Sequence, residues 1–431
     1  MNTAAPPTTT TLTVAAWPGA VPRLLRPTDQ REGCAEYVRA GGYEPLADPD
    51  ELLAEVDRGG LLGRGGAAFP LAVKLRTVRD AGRTGRETVV VANGEEGEPA
   101  SVKDRWLLRH RPHLVVDGVR LAAQIVAAGR AFVYVSDPDA ARAIEAAVNE
   151  TPADGPAITV VSVAAGYVAG EETAAVRAIN GGPAKPTDKP PRPFEHGVDG
   201  CPTLVSNVET LANLPYLQRH GAEAFRAKGT VASPGTFLAT VTGAGRPAAL
   251  YEVPYGVPFA DLLVLHGVSK EQVSGVLMGG YFAGLMNRNV LDATLDHETM
   301  RGLGSGLGCG AVALITDDCP VAVAAAVMAY FDRENASQCG SCFNGTAAMS
   351  AVTGALRDGV ATADDLARLA RWSVVLRGRG ACATLDAATN IAASLLLRFP
   401  QLVASHLDGT CDSCSTGAYS ALRPYEVEGL S

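Results

Sequence analysis

Three glycines within four positions, Gly63, Gly65 and Gly66, constrain this chain more than any other stretch. Phe69-Pro70 and Lys74 follow them. A backbone without Cβ atoms lets N–H groups approach a phosphate closely. Arg64 and Lys74 add positive charge at the same place. Further on, the apolar run Val89-Val90-Val91-Ala92 stops at Asn93, and Glu95, Glu96 and Glu98 follow. Open α/β sheets bind their ligands where strands end. A surface turn leading into a solvated acidic loop is the plain alternative for the same residues.

The periodicity around these stretches predicts an α/β region over residues 31–234. Leu52, Leu53 and Val56 share a helix face that leads into the glycine loop. Residues 86–91, 132–135 and 158–163 read as strands, apolar on successive positions as parallel strands are. Residues 113–127 read as a helix, and another starts at Asp137-Pro138, with proline in its first turn. Alternating strand and helix mean a mostly parallel sheet. Residues 235–315 change to short alternating runs between glycine turns, a small β-rich domain with no catalytic look. From 316 to 431 the chain is helical, with Asp318-Pro320 as a start, a Thr362–Asp365 capping box and an apolar helix over 385–399 stopped by Pro400. Residues 1–30, rich in Thr, Pro and Ala, read as a disordered tail.

Composition limits the function classes. Apolar residues make up 47% and charged residues 19% of the 431, enough for a sizeable core. The net charge of −9 argues against a nucleic-acid or anionic-membrane partner. No apolar run reaches the roughly 20 residues of a bilayer span, and the N-terminus lacks a secretory build. A cytoplasmic protein is expected, so the nine cysteines are reduced thiols or metal ligands before disulfides. They include Cys339-x-x-Cys342 and Cys411-x-x-Cys414.

Together the motifs resemble the flavin-binding 51 kDa subunit of NADH:quinone oxidoreductase (complex I) and its relatives in NAD-linked hydrogenases and formate dehydrogenases. That family carries a GRGGAGFP-type loop and an N-x-D-E-x-E-P-type turn. Lys103-Asp104-Arg105, Arg111-Pro112-His113-Leu114, residues 166–173 and Val208 to Asn213 continue the pattern. The resemblance implies a Rossmann-like FMN-binding domain, a ubiquitin-like β-grasp spacer and a C-terminal four-helix bundle with an iron–sulfur site. It implies FMN contacts from Gly63, Arg64, Gly65, Gly66, Lys74, Asn93, Glu95, Glu96, Glu98, Ser206, Asn207 and Thr210. Tyr167, Gly170, Glu171 and Glu172 would line the same pocket, although acidic residues there also favour a helix start. Phe69, Glu172, Lys189 and Arg192 would meet NAD(P)H, and Cys339, Cys342 and Cys382 would hold a [4Fe–4S] cluster. A hydride would pass between nicotinamide and flavin, with no side chain needed as general acid or base. Electrons would then pass to a ferredoxin-like, iron–sulfur or flavin partner within a hetero-complex.

The chain departs from that pattern at several points. Thr77 and Arg192 stand where the family has aromatics, Glu95 where it has Asp, and Ser206 where it has Asn. Ala336 occupies the place of the first cluster ligand. A four-iron cluster normally takes four thiolates. This leaves an incomplete cluster, a replacement ligand from Cys309, Cys319, Cys411 or Cys414, a structural zinc shared by the two C-x-x-C pairs, or free thiols. Two further functions follow: a flavoprotein served by ferredoxin rather than NADH, and a scaffold subunit without cofactors.

Overall fold

The computed structural model describes residues 12–26, 30–151, 155–427 and 430. Strands are β1 Thr13–Ala16, β2 Val89–Asn93, β3 Arg130–Val135, β4 Ala157–Ser162, β5 Thr203–Asn207, β6 Thr236–Gly243, β7 Ala249–Pro254, β8 Gly275–Met278, β9 Leu285–Asn287 and β10 Ala311–Ile315.

The glycine loop and the acidic turn belong to a four-stranded sheet of order β4-β3-β2-β5, parallel throughout. Val89 to Ala92 are fully buried. Val90 and Ala92 join the core that contains the Pro112–Val126 helix, while Val89 and Val91 join Tyr134, Ala175 and Val205 on the opposite face. Both faces are covered, which is why the run is apolar without alternation. Each buried valine contributes on the order of 1.5–3 kcal/mol of transfer free energy. The chain moves outward from β2 through β3 to β4, then returns to place β5 on the other side of β2. The order therefore reverses between β2 and β5, and at their carboxyl ends Asn93 and Asn207 lie in register. This switch point is where such sheets open a ligand crevice. β5 has no counterpart among the strands expected from periodicity.

The second sheet has six strands in the mixed order β1-β7-β6-β10-β8-β9. β1 corrects the expected tail. Thr13 to Ala16 pair in parallel with Ala249 to Glu252, and the backbone N–H groups of Arg23, Leu24 and Leu25 all donate to the buried Glu252 carboxylate. Residues 1–11 and 27–29 of the expected tail lie outside the described residues. A composition rich in Thr and Pro has no core of its own, but an edge strand needs only a neighbour with open backbone groups.

The C-terminal region carries the helices Pro320–Glu334, Gly340–Arg357, Ala363–Val375 and Thr384–Arg398. The Thr362–Asp365 capping box is present, whereas Cys319 rather than Asp318 is the N-cap of the first helix. Pro400 does not end the helical structure. It opens a further helix, Pro400–Ser405, in the first-turn position where proline costs no hydrogen bond. No helix among the described residues is long and apolar enough to cross a membrane.

Candidate functional site

At the β2/β5 switch point lies a cavity of about 410 Å3, within the roughly 300–1,000 Å3 of small-ligand and cofactor sites. Gly63, Gly65, Gly66, Phe69 and Lys74 line it together with Asn93, Glu95, Glu96, Glu98, Tyr167, Gly170, Glu171, Glu172, Ser206, Asn207 and Thr210. Arg64, Lys189 and Arg192 do not.

The glycine loop is shaped by its neighbours. Gly66 has φ +116°, a backbone that side chains with a Cβ rarely adopt, and a Cβ on Gly65 would sit 3.1 Å from that of Asn207. The Arg64 N–H donates to Thr210 Oγ1 at 2.8 Å. Its guanidinium turns away from the cavity, donating to the Thr236 carbonyl at 3.0 Å and lying 4.7 Å over the Tyr255 ring. The expected phosphate contact of the Arg64 side chain is thus corrected: buried beside Glu209, it ties the loop to the second sheet. Lys74 remains the loop's cation. Its amine donates to the Val205 carbonyl at 3.1 Å, and burial lowers its pKa.

The acidic turn divides into different roles. Glu96 is a cap: Ser101 Oγ and the N–H groups of Asp104 and Arg105 donate to its carboxylate. This anchors the Lys103–His110 helix. Glu98 accepts from the Tyr281 N–H at 2.9 Å, and Glu95 accepts from the Gly166 N–H at 3.3 Å. Burial pushes both carboxyls up to about 8, so both are neutral near pH 7. Glu95 Oε2 has no hydrogen-bond partner in the protein. Asn93 donates to the Gly170 carbonyl at 2.7 Å, joining the β2 end to the loop after β4. Beneath them, Asn207 donates to Asp104, which is paired with the buried Lys103 at 2.7 Å.

Glu171 lines the cavity and also caps the Glu172–Ile179 helix, accepting from the N–H groups of Thr173 and Ala174. Lys189 reaches Glu171 at 2.6 Å and Glu172 at 3.3 Å, offsetting one of the two carboxylate charges instead of lining the wall. Arg192 is exposed, its N–H donating to Glu195. Thr77 is half-buried, its hydroxyl donating back to the Val73 carbonyl. Phe69 presents a half-exposed ring at the cavity.

Several lining residues have no signal in the local sequence. Gly279, Phe282, Gly308 and Cys309 come from the β-rich region, and Ala383 comes from the helical region. The β-rich region therefore walls the site and is not only a spacer. A Cβ on Gly280 would lie 2.6 Å from the Glu98 carboxylate, which explains a glycine pair at a turn pressed against another module. Ser101 and Asp104 were within reach of the sequence, since both follow the acidic turn directly.

A second, smaller cavity is lined by Cys339, Cys342 and Cys382 with Pro186, Ala336 and Gln338. Cys339 caps the Gly340–Arg357 helix, and the Ala381 N–H donates to its sulfur at 3.4 Å. Burial and the neighbouring thiols push Cys342 up to about 12. The residue 183–193 linker closes over this cavity, with Lys185 donating to the Ala336 carbonyl and Gln338 donating to that of Pro186. Cys382 and Ala383, adjacent in the chain, line the two different cavities. Cys411 and Cys414 are not here. They gather with Cys319 and His406, so the expected zinc shared between the two C-x-x-C pairs is corrected.

The donor sets fit the two expected groups to different degrees. A glycine floor, a buried amine and an unpartnered carboxyl oxygen suit a phosphorylated ring cofactor. Cys339, Cys342 and Cys382 line one cavity and would hold an iron–sulfur cluster by three thiolates, while Ala336 in the same lining offers no fourth donor. Fold and site together define an α/β cofactor-binding protein with a thiol-lined cavity beside the cofactor crevice.

Residues 56–216 match the family model of the Nuo51 FMN-binding domain, and residues 322–406 match that of the NADH-ubiquinone oxidoreductase-F iron-sulfur binding region. The chain is 30% identical to an F-type subunit of the NADH-quinone oxidoreductase of Rhizobium meliloti, over 90% of this chain and 98% of that protein. It is 32% identical to the mitochondrial NADH dehydrogenase [ubiquinone] flavoprotein 1 of Dictyostelium discoideum, over 81% and 77%. A crystal structure of NAD+-reducing [NiFe]-hydrogenase in the H2-reduced state superposes with a TM-score of 0.77 at 29% identity, covering 88% of this chain and 67% of that one. The chain belongs to the family of F-type NADH-quinone oxidoreductase subunits, whose members are flavoprotein components of oxidoreductases.

Proposed function

We propose that this chain is an FMN-dependent oxidoreductase subunit that passes electrons between NAD(P)H and an iron–sulfur or flavin partner in a cytoplasmic hetero-complex. The observation that carries the reading is the adjacency of Ala383 and Cys382, one on the cofactor crevice and the other on the thiol cavity. When bound, FMN supplies a ring that takes a hydride and gives electrons up one at a time. Lys74 and the N–H groups of the glycine loop would hold its phosphate end. Asn93 and the neutral Glu95 carboxyl would orient the rest by hydrogen bonds. The Lys189 ion pairs reduce the repulsion between the Glu171 and Glu172 carboxylates and a dinucleotide phosphate. Phe69 offers the remaining aromatic face for the dinucleotide, and Tyr167 packs edge-on against Phe331 to exclude water between the two cavities.

In this reading residues 235–315 form a ubiquitin-like β-grasp module and the four long C-terminal helices a four-helix bundle. The purified chain should show oxidised-flavin bands near about 370 and about 450 nm, bleached by NADH in stopped flow. A colourless protein after gentle preparation would favour the scaffold instead. The aromatics replaced by Thr77 and Arg192 favour a second reading, in which reduced ferredoxin is the donor. Fast bleaching by reduced ferredoxin with none by NADH or NADPH would select it.

A further inference from the structure

Outside both cavities, one sulfur each from Cys319, Cys411 and Cys414 and one ring nitrogen of His406 lie within 4.8 Å of one another. Cys319 Sγ is 3.4 Å from His406 Nε2. His406 is fully buried, and its Nδ1 lies 2.9 Å from the Leu356 carbonyl. That contact makes Nδ1 the protonated nitrogen and leaves the Nε2 lone pair facing the thiols. A carbonyl on the far ring nitrogen is the usual partner of a metal-bound histidine. All three cysteines sit at helix starts: Cys319 and Cys411 are N-caps, and Cys414 is in the first turn after Cys411.

We propose that these four residues bind one zinc ion in a Cys3His site, separate from the iron–sulfur position. The spacing decides between the two metals. Around tetrahedral zinc, with bonds of about 2.0–2.3 Å, ligand atoms lie roughly 3.3–3.8 Å apart. The thiolates of a cubane bind different irons and stand roughly 6 Å apart. A 4.8 Å limit fits one ion and is too tight for the cluster. All three cysteines are free thiols, so no disulfide uses up a ligand.

The zinc would fasten the end of the chain. Beyond Cys414, Tyr425 stacks on Tyr419 and donates to Asp318, the neighbour of Cys319. Tyr281 donates to the Pro424 carbonyl, and the Val427 N–H donates to that of Pro99 at 3.0 Å. Pro99 directly follows Glu98 of the cofactor turn. The strap therefore runs from the metal to the back of the FMN crevice.

The test is zinc and iron analysis of the full chain, purified anaerobically, as wild type, Cys411→Ser, His406→Ala and Cys342→Ala. About one zinc per chain is expected in wild type and Cys342→Ala. A drop of roughly fivefold or more is expected in the other two, with iron unchanged and Tm lower by on the order of 5 °C. Should those variants be insoluble, a mercurial titration of wild type with a chromogenic chelator reads zinc release from thiolates directly. Zinc near zero in wild type, iron lost from Cys411→Ser, a single iron in place of zinc, or a Cys319–Cys411 or Cys411–Cys414 disulfide on alkylation mapping would each overturn the proposal.

Discussion

Glu95 carries the consequence of being a carboxyl with one oxygen satisfied and the other buried beside Gly170 without a hydrogen bond. Its pKa rises from an ordinary 4.5 to about 8 because burial penalises the charge, and Glu98 rises likewise. A raised folded-state pKa gives stability that is complete below about 4.5 and lost as pH climbs through about 8. The flavin-free protein should therefore lose Tm steadily between about pH 5 and about pH 9. Glu95→Gln should flatten part of that slope, leaving the share due to Glu98. A second residue-scale expectation concerns the thiol cavity. Ala336→Cys adds the missing donor, so iron content should rise toward about four per chain and the signal should become less sensitive to air. Cys342→Ala should remove most iron. Equal iron in wild type and Ala336→Cys would mean that another group fills the fourth corner.

Elements explain why Glu96 and Gly65, on the same crevice, should respond differently to substitution. Glu96 fastens the start of the Lys103–His110 helix, so Glu96→Ala should cost roughly 1–2 kcal/mol of stability and release flavin as a consequence. Gly65→Leu instead presses a side chain toward Asn207 and should empty the crevice with a smaller loss of Tm. Flavin extraction and thermal melts of both variants separate the two effects. The Leu71–Gly82 helix carries Lys74 and, one turn on, Thr77. Thr77→Phe should tighten NADH by about 1 kcal/mol, the worth of one aromatic contact, as read from stopped-flow bleaching. Arg192→Phe should act in the same direction and by a similar ~1 kcal/mol, since residues 77 and 192 both stand outside the cavity wall.

At the scale of the molecule, the crevice belongs to no single module. The parallel sheet supplies its floor, Gly279 and Phe282 supply a wall from the mixed sheet, and Ala383 brings the helices against it. Glu98 links two of these modules through the Tyr281 N–H. Gly280→Ala should therefore loosen flavin from a distance, since its Cβ would strike that carboxylate and φ +81° already disfavours a side chain. Flavin retention on gel filtration measures this, and unchanged retention would show that the wall yields without cost.

The sequence by itself determined β2, β3 and β4 of the parallel sheet, the strand-end location of the crevice and the glycine and acidic parts of its floor. These depend on local chemistry: apolar runs of strand length, glycines where the backbone must come close, and polar residues where strands stop. The resemblance to the family, not local chemistry, grouped Cys339, Cys342 and Cys382 and marked the missing donor at Ala336. Only the tertiary structure decided which way Arg64 points, that Lys189 serves Glu171 and Glu172, and that Thr13 to Ala16 form a strand. It alone brought Gly279, Phe282 and Cys309 to the crevice, and it alone separated Cys411 and Cys414 from the thiol cavity to join Cys319 and His406. Each of these depends on contacts between residues far apart in the chain, and no local pattern encodes such a meeting.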